Sequence, residues 1–305
     1  MRLLTRSDFD GLACAVLLKE MGMMDEWKFV HPKDVQDGKI EVSSDDILAN
    51  VPFASGCGMW FDHHSSEEER LNFDFEFKGA SKSAPSAARV VWEYFDGHET
   101  FGDKFDEMLK YVDKVDSGNL NAEEIENPQG WVLLGFLMDP RTGLGRYKDY
   151  RISNYQLMEE LIEHCRTQPI ERILELDDVQ ERVARYGLQQ SKYRKMIEKN
   201  AVVRGNVLVI DLRGEEEIFT GNRFTMYTMY PETNISIQVI WGLEKKNTVF
   251  TCGWSVTNKT SRTDVGLLML QHGGGGHKQV GTCQVDNEQA DHVLASLIEQ
   301  MRQDG

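Results

Sequence analysis

Hydrophobic positions in the first 65 residues fall in short runs separated by polar turns: MRLLT, then GLACAVLLKEMG, WKFVHP, DDILANV and GMWFDHH. Apolar runs without strict alternation suit strands covered on both faces, and their alternation with a helix-length stretch predicts a parallel sheet. A helix starting at Gly11, directly after SDFD, places Asp8 and Asp10 at the carboxyl end of a strand. Active sites of open parallel sheets lie at that edge. Residues 84–94 (APSAARVVWEY), the stretch FDEMLKYVDKV and the one beginning at Tyr155 read as helices, so the middle of the chain is mostly helical. Between Asp178 and Asn200, Val179, Val183, Tyr186, Tyr193 and Ile197 recur at helical spacing among charged residues, which predicts a connecting helix. Beyond it NVLVIDL, NISIQVIW and TVFTCGWSV carry the β-branched and aromatic enrichment of strands, with TDVGLLMLQH and QADHVLASLIEQM as helices. The pattern predicts an α/β fold. A parallel-sheet domain spans residues 1–177, a connecting helix residues 178–200, and a smaller mixed-sheet α/β domain residues 201–305.

Composition narrows the function. A chain of 305 residues is long enough for two domains with their own cores. Its 50 acidic against 34 basic side chains give a formal charge of −16, which argues against capture of long nucleic acid or duplex DNA by the surface as a whole. Short anions held by local positive groups fit. No apolar signal core opens the sequence and no run approaches a membrane span, so a cytoplasmic, soluble protein with no membrane partner is expected. Five scattered cysteines, odd in number and without a CxxC pair, suggest reduced thiols rather than a disulfide framework or a zinc site.

Four stretches carry chemistry. In SDFDG, an extended backbone would point Asp8 and Asp10 to one face and let both reach the same cation; the same residues equally make a turn with a capping acid. FDHH ends another strand of the same sheet and brings Asp62, His63 and His64 to that edge. In YVDKVDSGNL, Asp116 leads a Ser-Gly-Asn turn with Asp113 one turn earlier, which also reads as a plain helix end. Oxygen-rich sets with one or two histidines suit manganese or magnesium better than zinc, and such hard cations serve phosphoryl chemistry. Finally, four consecutive glycines in HGGGGHKQVGTC, residues 272–283, let backbone amides approach an anion, or form a flexible linker.

Taken in order along nearly the whole chain, DFDG, DHH, DSGN and GGGGH resemble the DHH phosphoesterase family with its DHH-associated C-terminal domain, of the exopolyphosphatase-related or short-oligonucleotide phosphodiesterase type. The resemblance implies a metal-dependent phosphohydrolase acting on a short oligonucleotide, a dinucleotide or polyphosphate. It assigns Asp8, Asp10, Asp62, His63 and Asp116 to divalent metal, Mn2+ or Mg2+, one or two ions. Asp62 and His64 become catalytic, His64 as acid or phosphate-orienting group. Ser255, Asn258, Arg262, Gly274, Gly275, Gly276 and His277 become substrate-binding. Two departures stand out. Many members carry a histidine two or four residues ahead of the first aspartate pair, where this chain has Arg6 and Leu4, and a metal-bridging aspartate at the end of the third strand, where it has Asn50. These leave open a single-metal site or a catalytically silent nucleotide- or phosphate-binding protein; the alternative within enzymes is an exopolyphosphatase-like polyphosphate hydrolase. Arg141 and Arg146 flank a Gly-rich turn that is either an anion-binding edge or a structural turn, and Arg223 is similarly ambiguous. The sequence implies no oligomeric state.

Overall fold

The structure, a computed structural model, describes residues 1–64 and 76–305. The chain divides into two compact units, one formed by residues 1–119 and 127–187 and the other by residues 120–126 and 188–305. Among the described residues no helix is long and apolar enough to cross a membrane.

In the first unit, strands β1 (Arg2–Thr5), β2 (Glu26–Phe29), β3 (Asp46–Ala49), β4 (Met59–Asp62) and β5 (Gly79–Ser81) form a sheet in the order β2-β1-β3-β4-β5. Every pairing is parallel, so all the strands end at one edge. Helix α1 (Phe9–Glu20) follows β1, and its residues from Phe9 to Leu18 are all buried. An apolar helix of that kind must be covered all round. Helices α2 (Ala87–Tyr94), α3 (Asp106–Asp116), α4 (Gly130–Met138) and α5 (Asn154–Thr167) pack against it. At Gly135 of α4 a β-carbon would lie 2.9 Å from the Phe9 ring and 3.3 Å from Val115. Glycine lets α4 approach α1 and α3 beside their functional ends.

Helix α6 (Asp177–Asn200) runs through the connecting region. Of the apolar positions at helical spacing, Val179, Tyr186, Tyr193 and Ile197 are buried and Val183 is half-buried.

The second unit is built on a six-stranded mixed sheet, β10-β11-β9-β8-β7-β6, from β6 (Ala201–Arg204), β7 (Val207–Asp211), β8 (Ile235–Trp241), β9 (Thr248–Trp254), β10 (Gly275–His277) and β11 (Val280–Val285). Only β7 and β8 pair in parallel. Val207, Val209, Ile235, Ile237, Val239, Phe250, Cys252, Cys283 and Val285 form the sheet's share of one core. Helix α7 (Val265–Leu270) contributes Val265, Leu268 and Met269, and helix α8 (Ala290–Asp304) contributes Val293, Leu297 and Met301.

Candidate functional site

Strand β1 ends at Thr5 and β4 at Asp62, so the turn into α1 and the DHH stretch meet at the carboxyl edge of the parallel sheet. Helix α1 starts at Phe9, two residues earlier than its sequence suggests, with Asp8 as N-cap and Asp10 in the first turn. The backbone is extended at Asp8 but helical from Phe9 on, and the expectation that an extended segment points both carboxylates to one face is corrected accordingly. Asp8 Oδ1 accepts from the Gly11 amide and from Asn50 Nδ2, each at 3.0 Å, while Oδ2 pairs with Arg6 Nε at 3.0 Å. Asp10 turns the other way. Its oxygens accept from the Ala87 and Ala88 amides at 2.9 and 2.8 Å, the first-turn donors of α2, where a negative charge is favoured.

Asp10, His63 and Asp116 form a metal-capable group whose ligand atoms lie within 4.8 Å of one another. His63 Nε2 is 3.8 Å from Asp10 Oδ2 and 3.3 Å from Asp116 Oδ2. Its Nδ1 lies 3.1 Å from the Ala84 carbonyl, and since a carbonyl only accepts, Nδ1 carries the proton. In a neutral imidazole Nε2 then turns a lone pair toward two carboxylates. That atom is buried without a hydrogen-bond partner among the described residues, as is Asp62 Oδ2. Lone pairs converging without a proton between them fit a cation, and one histidine with two carboxylates is a donor set for a hard divalent ion. Burial, followed by the charges of Asp116 and Asp8, pushes the Asp10 carboxyl well above the usual range. A bound cation would relieve that cost.

Asp62 Oδ1 meets His64 Nδ1 at 2.7 Å. Burial disfavours the His64 imidazolium, but the adjacent Asp62 carboxylate outweighs it and lifts the pKa to about 9. Asp113 stands apart from the metal-capable group: it accepts from Ser86 Oγ at 2.7 Å and pairs with Arg89 at 2.6 Å.

Two features of this edge were not read from the sequence. One is the ion pair of Arg6 with Asp8. Another is the Ser86 cap that aims the start of α2 at Asp10, for which Pro-Ser before an apolar run was the available signal. Arg141, which the sequence leaves as part of an anion-binding edge or of a structural turn, binds Asp139 through Nε and Nη2, both at 2.8 Å. Partial desolvation works against its charge although the side chain is 40% exposed, while Asp139 and, beyond it, Asp8 and Asp116 hold its pKa above the ordinary value. Arg146 Nε donates to the Gly143 carbonyl at 3.1 Å, within the same turn.

The remaining sequence-selected residues lie in the second unit. Ser255 is fully buried, and its hydroxyl oxygen accepts from the Asn258 amide and lies 3.1 Å from Thr257 Oγ1. Asn258 accepts from Thr260 and donates to the Pro231 carbonyl. Arg262 is exposed. The run of glycines is not a flexible linker. Gly275–His277 is strand β10, antiparallel to β11, and the Gly274 amide donates to the Met269 carbonyl. A β-carbon would lie 2.1 Å from Thr282 O at Gly274 and 2.2 Å from Val280 O at Gly276, so glycine here serves close strand approach. Arg223 stacks on Phe224, 4.1 Å from the ring centre.

No family model and no curated protein sequence matches the chain. Among solved structures it is similar to the pGpG-specific phosphodiesterase PggH from Vibrio cholerae, with 47% identity over 100% of this chain and 99% of that one and a TM-score of 0.82. The DHH domain of a protein described as a member of the s1p family of ribosomal proteins shares the fold, at 12% identity over 99% of this chain and 86% of that one, with a TM-score of 0.58. With a full-length relative at that identity and the Asp-His-Asp group at the sheet edge, the chain belongs to the DHH phosphoesterase family and is a metal-dependent phosphohydrolase.

Proposed function

We propose that the substrate is a linear dinucleotide of the pGpG kind, cleaved at its internal phosphodiester to two mononucleotides. The observation that carries this reading is the 47% identity, over the full length of both chains, to a phosphodiesterase specific for pGpG. Asp10, His63 and Asp116 would hold the divalent ion, Mn2+ or Mg2+, with Asp62 beside them. Such an ion, when bound, acidifies water and neutralises the non-bridging oxygens of phosphate.

The chain's own groups take the other roles. Asp62 fixes His64 through Nδ1 and keeps it protonated at neutral pH, which makes His64 the donor for the leaving oxygen. Arg141, anchored on Asp139, adds positive charge beside Asp8 and Asp116. Residues 1–177 carry the chemistry and residues 201–305 the substrate contacts, joined by the helix over 178–200. In the second part Arg262 and His277 supply charge and donors for phosphate or base. Ser255 and Asn258 hold the turn before Arg262, and Gly274, Gly275 and Gly276 shape the hairpin that presents His277.

Hydrolysis of a substrate panel by the purified protein with added Mn2+ tests the reading. Conversion of pGpG to GMP, abolished by a chelator and faster than turnover of a cyclic dinucleotide or of polyphosphate, is the expected result. Release of orthophosphate from polyphosphate in preference to any dinucleotide would replace it with a polyphosphatase. Tight pGpG binding without turnover in Mn2+ or Mg2+ would replace it with a silent binder.

A further inference from the structure

The surroundings of Asp8 differ in kind from those of Asp10, two residues away. Around Asp10 stand His63 Nε2 and Asp116 Oδ2, atoms that bring lone pairs. Around Asp8 stand a guanidinium, a carboxamide N–H and a backbone N–H, all donors, at 3.0 Å each. A divalent ion needs acceptors on every side, and these three groups turn protons toward the carboxylate instead. Asn50 makes the point independently. It is 2% exposed, sits at positive φ (56°) at the end of β3, and reaches Asp8 with its Nδ2. An amide facing a carboxylate must do so with its N–H, since its oxygen would bring lone pair against lone pair. This pole of the site is thus built around a cation that is part of the chain.

We propose that the site works with one divalent ion, held by Asp10, His63 and Asp116, and that Arg6 stands where a second cation would, binding a non-bridging oxygen of the scissile phosphate. Nε of Arg6 makes the closest approach to Asp8, and the side chain is 28% exposed. Its Nη groups can still reach a phosphate, since a guanidinium carries donors on more than one edge. A guanidinium fixed at one edge keeps a planar fork of N–H groups for phosphate. Two-metal phosphoryl sites clamp the reacting phosphate between ions about 3.5–4 Å apart. Here a tethered cation, which needs no recruitment from solution, takes one of the two places. The proposal rests on the phosphodiesterase reading above for its substrate, but not for its metal count.

The experiment has two arms. In the first, the metal-depleted full-length protein is titrated with Mn2+ by calorimetry, and its metal content is measured after gel filtration. One ion per chain is expected for the wild type and for Arg6→Gln. The double variant Arg6→His/Asn50→Asp, which replaces donors with acceptors around Asp8, should take up two. Two tightly held ions per wild-type chain would overturn the proposal without recourse to any variant. In the second arm, Arg6→Gln should lower kcat and kcat/KM on pGpG about 10- to 100-fold, as expected when a charge-assisted hydrogen bond to phosphate is lost. Arg6→Lys should recover part of that loss, while both variants still take up a single Mn2+ ion. Wild-type turnover by Arg6→Gln would sink the phosphate-binding role. If the wild type prefers polyphosphate, the dinucleotide reading fails, and the same two arms run on polyphosphate still decide the roles of Arg6 and of the single ion.

Discussion

At the scale of residues, the two histidines of the DHH stretch are neighbours in sequence with opposite assignments, and hydrogen bonding separates them. His63 gives its Nδ1 proton to a carbonyl and turns Nε2 to the carboxylates, whereas His64 faces Asp62, whose charge keeps it protonated up to about pH 9. In the metal-free protein, Asp62→Asn should bring the His64 titration, followed by NMR, down from about 9 toward the ordinary 6.5, because burial remains while the strongest counter-charge is lost and only the weaker pull of Asp116 and Asp10 is left. A titration left near 9 would mean that another group holds the proton. The pair also contributes stability with a defined sign. The folded-state pKa is raised, so the contribution is fully present below about pH 6.5 and is lost as pH rises through about 9. The gap in Tm between wild type and His64→Asn, both metal-free, should therefore be widest near pH 6 and narrow steadily above it. A gap that widens with pH would contradict the assignment.

At the scale of elements, the glycine run shows how one composition serves two demands. Gly276 has φ of 154° and no room for a β-carbon, while Gly273 has φ of 75° with open space around it. Gly276→Ala should cost the second unit on the order of 2–3 kcal/mol through backbone strain and collision with Val280, and Gly273→Ala only about 1 kcal/mol from the left-handed backbone. Chemical denaturation of the two variants checks this, and equal losses would mean that the hairpin relaxes freely. The fold was legible wherever burial dictates pattern: the apolar run that stops at Asp62 marks a strand end, and Val179, Tyr186, Tyr193 and Ile197 mark the buried side of α6. It was not legible where a contact depends on distant backbone. Arg182 reads as a charged surface position in that helix, yet it is fully buried over the Tyr150 ring with the Ile152 carbonyl as acceptor. In the site, residue types announced a cation at the sheet edge, since acids and imidazoles stood at strand ends. Which acid met which partner depended on α1 starting at Phe9 rather than Gly11. That early start sends Asp8 to Arg6 and Asn50, and Asp10 to His63 and Asp116.

At the scale of the whole molecule, the site must draw an anionic substrate to a chain carrying a formal charge of −16. Among the described residues the positive groups at the sheet edge are few and fixed, Arg6 on Asp8, the His64 imidazolium on Asp62, and Arg141 on Asp139, and the proposed contacts of the second unit add Arg262 and His277. They act over one or two phosphates, while each further phosphate of a longer strand meets the acidic surface without compensation. Repulsion between exposed charges falls away beyond a screening length of about 30 Å at 0.01 M salt and about 8 Å at 0.15 M. The preference for a dinucleotide over a strand of about twelve nucleotides, expressed as a ratio of kcat/KM, should therefore be largest at low salt and shrink as salt rises, because screening relieves the long substrate more. Potassium chloride varied at constant free Mn2+ gives the measurement. A ratio independent of salt would assign length selection to steric exclusion alone. A ratio that grows with salt would mean that the long strand is held by a basic track, which the distribution of charge in this chain argues against.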